Sequence, residues 1–134
     1  MVIDDSPLVL RQFQQWIGSL GYPVILCQHA EQAINTIKQT KPSLIFLDIN
    51  MPQISGFDLV KQIRMMPDIA KIQVVILTAE QKLSNKWRAQ WSNCEFLTKP
   101  LSTEEMHIFP SQLQLLIQNL LSDGAQVPLQ IEAT

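Results

Sequence analysis

Short apolar runs alternate along this chain with amphipathic segments of helix length. Met1-Val2-Ile3 stops at Asp4-Asp5, and Ser6-Pro7 then reads as a helix N-cap followed by proline at the first helical position. Val9, Phe13, Trp16, Ile17 and Leu20 recur at helical spacing, and Gly21 closes that helix. Val24-Ile25-Leu26-Cys27 is a second buried-strand run. Ala30, Ala33, Ile34 and Ile37 mark a second helix, ended by Lys41-Pro42. Leu44-Ile45-Phe46-Leu47 predicts a third strand that stops at Asp48. Phe57, Leu59, Val60, Ile63 and Met66 predict a third helix after Gly56.

Val74-Val75-Ile76-Leu77 predicts a fourth strand stopping at Thr78, and a fourth helix is expected over 83–91. Glu95-Phe96-Leu97-Thr98 reads as a short fifth strand before Lys99-Pro100. The stretch after Ser102 is helical but contains Pro110, which removes a backbone donor. A short helix, a break and a second helix over 111–121 are therefore expected. The tail over 123–134 has no periodicity, carries Gly124 and Pro128, and reads as a flexible tail or linker behind one domain over 1–122.

Strands that are apolar throughout, separated by helices, predict an α/β fold: a parallel sheet covered by helices on both faces. In such a sheet the functional crevice lies at the carboxyl ends of the strands. The chain places its unusual polar residues there: Asp4-Asp5 after strand 1, Asp48 after strand 3, Thr78 after strand 4 and Lys99 after strand 5.

The 134 residues suit one domain, and 46% hydrophobic with 16% charged residues excludes a disordered chain. A net charge of −2 excludes a row of phosphate contacts, so no nucleic-acid partner is expected. No apolar run approaches a membrane span of roughly 18 residues. Cys27 and Cys94 make no disulfide framework, and an intracellular, cytoplasmic chain is expected. Should strands 2 and 5 form the two edges of a five-stranded sheet, the two cysteines stand roughly 19 Å apart at about 4.8 Å per strand. That is too far for a disulfide, which needs α-carbons within about 7 Å.

Three converging carboxylates repel one another, and a hard divalent cation with oxygen ligands relieves that repulsion; Mg²⁺ needs only one or two of them. A hydroxyl from Thr78 and an ammonium from Lys99 at the same rim suit an anionic group. Together these groups describe phosphoryl transfer, with a carboxylate as nucleophile.

The motifs Asp4-Asp5-Ser6-Pro7, Leu47-Asp48-Ile49-Asn50-Met51-Pro52 with Gly56, Leu77-Thr78-Ala79, and Phe96 before Lys99-Pro100 stand in one order. In that order and spacing the chain resembles the receiver domains of two-component response regulators, the chemotaxis type above all, over 1–121. The resemblance implies a flavodoxin-like, five-stranded parallel sheet of order 2-1-3-4-5. It implies that Asp48 accepts a phosphoryl group from a histidine kinase or histidine phosphotransfer protein. Asp5, Asp48 and the backbone carbonyl of Asn50 would ligate Mg²⁺, with Asp4 acting through water. Lys99 would pair with Asp48, and Thr78 and Phe96 would form the switch. Asn50 and Glu80 would flank the access of hydrolytic water. Output would pass to a downstream protein or a homodimer, and the Lys99–Pro100 peptide would be cis. Three features depart from the family: the short first strand, Ser92-Asn93-Cys94 in place of the usual Gly-Ala before strand 5, and Pro110 in the last helix.

Two rival functions remain at the level of sequence. One is a receiver fold used for dimerisation without phosphate, which the complete set of polar residues disfavours. The other is a phosphatase with an aspartyl nucleophile, which would need a second Asp where Asn50 stands. His29, His107 and Trp87 read as ordinary surface or core residues; Trp91, four residues after Trp87, is a candidate partner contact.

Overall fold

A computed structural model describes residues 1–79 and 94–122. The helix expected over 83–91, Glu80, Trp87, Trp91, Ser92, Asn93 and the tail over 123–134 lie outside the described residues. The elements in order are β1 (Val2–Ile3), α1 (Pro7–Ser19), β2 (Leu26–Cys27), a 3₁₀ turn (Ala30–Gln32) leading into α2 (Ala33–Thr40), β3 (Leu44–Asp48), α3 (Gly56–Met65), β4 (Gln73–Thr78), β5 (Glu95–Thr98) and α4 (Thr103–Ser122). The five strands form one parallel sheet in the order β2-β1-β3-β4-β5, as expected.

The sheet sorts its side chains with period two. Ile45, Leu47, Val74 and Ile76 face one core, against Ala33 and Ile37 of α2 and Leu59, Val60 and Ile63 of α3. Leu44, Phe46, Val75 and Leu77 face the other, against Leu10, Phe13 and Ile17 of α1 and Phe109, Leu113, Ile117 and Leu121 of α4. Both faces are apolar because both are covered, which is why β3 and β4 read as unbroken hydrophobic runs.

Helix ends follow local chemistry. Ser6 Oγ accepts from the Val9 amide at 3.4 Å, with Pro7 at the first position of α1. Gly21, with φ of 93°, ends that helix and its amide donates to the Gly18 carbonyl. Lys41 closes α2 in the left-handed region at φ 45°. Ser102 and Glu105 form a capping box at α4: Ser102 Oγ accepts from the Glu105 amide, and Glu105 Oε1 accepts from the Ser102 amide.

Three expectations are corrected. The helix break at Pro110 does not occur, and α4 runs unbroken from Thr103 to Ser122. Proline costs a helix interior about 3 kcal/mol. Phe109, Leu113, Ile117 and Leu121 lie on one face spanning it and are all buried. Each such side chain contributes about 1.5–3 kcal/mol, so packing outweighs the lost bond. Strand β2 is two residues long rather than four, because a ladder extends only as far as β1 offers a partner; Ile25 still accepts from the Val2 amide at 2.8 Å. Among the described residues no peptide bond is cis, so Lys99–Pro100 is trans. The trans form is the preferred one by about 0.5–1 kcal/mol, and Lys99 reaches its partners from it.

Candidate phosphoryl-transfer site

The carboxyl ends of β1, β3, β4 and β5 converge. Parallel register places Asp48 opposite Leu77 and Thr78 opposite Thr98, while Ile3, just before Asp4-Asp5, is opposite Leu47. Asp48 and Thr78 end β3 and β4, and Asp4-Asp5 and Lys99 directly follow β1 and β5, so all reach one rim. Asp4, Asp5 and Asp48 each place one carboxylate oxygen within 4.8 Å of the others. Asp4 and Asp48 are buried and Asp5 is exposed.

Lys99 joins two of the three. Its Nζ donates to Asp4 Oδ2 and to Asp48 Oδ1, each at 3.0 Å. The Lys99 amide donates to the Thr78 carbonyl at 2.7 Å, which fixes the β5 end beside β4. Asp4 Oδ1 accepts from the Ser6 amide at 2.9 Å. Both oxygens of Asp4 are thus held within the protein, while Asp5 is exposed and brings its carboxylate to the same cluster.

The electrostatics are unbalanced toward negative charge. Burial raises the Asp48 carboxyl above its ordinary value, the Asp4 charge raises it further, and Lys99 and the Asn50 amide oppose both. Burial alone would lower Lys99, but Asp4 and then Asp48 outweigh it and hold the ammonium above its ordinary value. Among the described residues three carboxylates face one ammonium, leaving a site suited to a divalent cation. The donor set is all oxygen, which fits Mg²⁺ and does not fit a soft thiolate-seeking metal.

Thr78 is buried at the end of β4. Phe96 is buried on β5 opposite Ile76, its ring centroid 6.4 Å from that of Phe57. Asn50 is exposed just beyond the acid cluster, and its backbone amide bonds Asp48. The structure thus brings Asp4, Asp5, Asp48, Asn50, Thr78 and Lys99 to one rim, with Phe96 below in the core; Glu80 lies outside the described residues. His29 and His107 are exposed, and both cysteines are free, buried thiols raised by burial. Sequence reasoning missed the wall formed by Gln28, His29 and Gln53 beside Asp5. Only their positions just after β2 and β3, at the carboxyl edge, signalled it.

This geometry is that of a parallel α/β receiver sheet with an acid pocket at its carboxyl edge. The response regulator receiver domain family matches residues 1–109, and the chain belongs to that family. The polar-differentiation response regulator DivK of Brucella anthropi is 27% identical over 103 residues, 76% of this chain and 84% of that protein. Two solved structures share the fold. The signal receiver domain of a signal transduction histidine kinase from Syntrophus aciditrophicus has a TM-score of 0.75 at 24% identity, covering 91% of this chain and 88% of that one. The chemotaxis protein CheY4 of Vibrio cholerae has a TM-score of 0.74 at 23% identity, covering 89% and 94%. The chain is therefore a receiver domain of two-component signalling. Among the described residues no helix is long and apolar enough to cross a membrane.

Proposed function

We propose that the chain is a phosphorylation-dependent cytoplasmic switch whose receiver domain spans 1–122, with 123–134 as its tail. Asp48 accepts a phosphoryl group from a histidine kinase or histidine phosphotransfer protein. The observation that carries this reading is Asp48 itself: a buried carboxylate at a strand end, held by Lys99 at 3.0 Å within an acid cluster. A carboxylate oxygen of Asp48 attacks phosphorus, the phosphorus–nitrogen bond of the donor breaks, and the imidazole leaves with its electron pair. Mg²⁺, when bound, would neutralise charge on the transferring group.

Asp5, Asp48 and the Asn50 carbonyl would hold that ion, with Asp4 outside them. Asp4 is suited to the indirect place because Lys99 and the Ser6 amide already occupy its oxygens. Lys99, poised on Asp48, is placed to follow the charge onto the phosphoryl oxygens. Thr78 donates its hydroxyl to the phosphoryl group, and Phe96 changes rotamer in response, altering the surface offered to a downstream protein or a second copy. The chain catalyses only its own phosphorylation and dephosphorylation and turns over no other substrate.

Incubation with acetyl phosphate and Mg²⁺, read by intact mass, tests the reading. One phosphoryl group is expected on the wild type and none on Asp48→Asn. An unmodified wild type, with beryllofluoride and Mg²⁺ leaving tryptophan fluorescence unchanged, would overturn it.

A further inference from the structure

Beside the acid cluster lies a cavity of about 220 Å³ between the loops that follow β2 and β3, with Asp5 in its wall. Gln28, His29 and Gln53 line it together with the apolar Met51 and Pro52. Among the described residues, no lysine or arginine lines it. At about 30 Å³ for each water, it has room for several.

Resting on the reading that Asp5 and Asp48 hold Mg²⁺, we infer that Gln28, His29 and Gln53 form an outer wall of the cation site and accept hydrogen bonds from its coordinated waters. Mg²⁺ sheds water reluctantly, so an ion held by few protein oxygens keeps several. Those waters are polarised donors and need acceptors. Asp4, with an oxygen each already given to Lys99 and the Ser6 amide, can take only some of them, and the cavity next to Asp5 is where the rest have room. Two amide oxygens and one imidazole nitrogen supply acceptors. A cationic wall would repel the ion, and a further carboxylate would compete for direct ligation. The three residues are thus positioning residues, acting through water on the metal. They favour a cation that stays hydrated over one that, like Ca²⁺, readily takes direct oxygen ligands.

Calorimetric titration of Mg²⁺ and of Ca²⁺ into the wild type, the His29→Ala/Gln53→Ala double variant and Asp5→Asn tests this. The double variant is expected to lose about tenfold in Mg²⁺ affinity, the lower end for groups that hold a ligand rather than the metal. It is expected to lose much less for Ca²⁺, so the ratio between the two ions narrows. The metal-free melting temperature should not move, since His29 and Gln53 are exposed. His29→Gln, which keeps an acceptor, should retain more affinity than His29→Ala. Equal Mg²⁺ affinity in the double variant and the wild type, with Asp5→Asn weakened, would overturn the inference and leave the cation site standing. Mg²⁺ affinity equal in the wild type and Asp5→Asn would overturn the cation site itself, and the inference with it.

Discussion

Gly56 packs its α-carbon against the main chain of Asp48: a Cβ there would lie 2.6 Å from the Asp48 carbonyl oxygen and 2.9 Å from Ile49 Cα. Both neighbours are backbone, so neither can swing aside. The Gly56 amide donates to the Ile49 carbonyl at 2.9 Å, which ties the start of α3 to the end of β3. The glycine therefore sets how closely α3 approaches the strand end that carries the Asp48 carboxylate. Gly56→Ala gains up to about 1 kcal/mol of helix propensity. It must also push backbone from backbone, at a cost on the order of 2–3 kcal/mol. Net loss of stability is expected in urea unfolding, with weaker Mg²⁺ binding because Asp48 shifts. A variant as stable as the wild type would show that the approach is not tight.

Much of this was legible from residue types. The two covered faces and the convergence of Asp4, Asp5, Asp48, Thr78 and Lys99 follow from apolar runs ending in polar residues, while the order of strands rests on the resemblance that the motifs carry. What was not legible depends on long-range packing. Pro110 signals a break locally, and only the burial of Phe109 against Phe13 and Trp16 overrides it. The length of β2 depends on its partner β1, not on its own residues. The split between Asp4, buried and held by Lys99, and Asp5, left exposed, is invisible in an Asp-Asp pair. So is the cavity wall of Gln28, His29 and Gln53, which carries no motif.

Pro110 leaves the Met106 carbonyl without its helical donor four residues on, inside an otherwise continuous α4. Pro110→Ala restores that amide and removes the ring from the helix interior. Part of the roughly 3 kcal/mol difference is offset because proline also restricts the unfolded chain. A gain of about 1–2 kcal/mol is expected, read as a higher urea midpoint with an unchanged slope. A loss of stability would mean that a kink at Pro110 is needed to seat Phe109.

Met1 carries a buried amine that donates to the Leu44 carbonyl at 2.8 Å. Burial lowers it from 8.0 to about 5. Between those values the unfolded chain binds a proton that the folded chain refuses, so stability rises with pH across the window and falls on acidification. The drop corresponds to at most about 4 kcal/mol between pH 8 and pH 5. Acetylating the amine removes the titrating group, and the adjacent cavity of about 200 Å³ gives the acetyl room. The acetylated chain should lose less stability than the free one over that window; parallel profiles would show that the amine keeps its proton when folded.

The lifetime of the phosphorylated state follows from access of water to phosphorus. Hydrolysis needs a water opposite the Asp48 oxygen, and the side chain two residues after Asp48 flanks that approach. Here it is Asn50, which is exposed and short, and which offers an amide able to orient a water. Asn50 is neither bulky nor cationic, so on the proposed reading it neither shields the phosphoryl group nor pairs with it; Glu80, two residues after Thr78, lies outside the described residues. A signal lasting seconds to minutes is expected. Asn50→Arg places a long cation at the approach, where it pairs with phosphoryl oxygens and excludes the water, and decay should slow by about tenfold or more, equivalent to roughly 1.4 kcal/mol in the barrier. The measurement is loss of phosphoryl mass after the donor is removed, in Mg²⁺, for the wild type and the variant. Equal decay in both would mean that water reaches phosphorus by a path that Asn50 does not border.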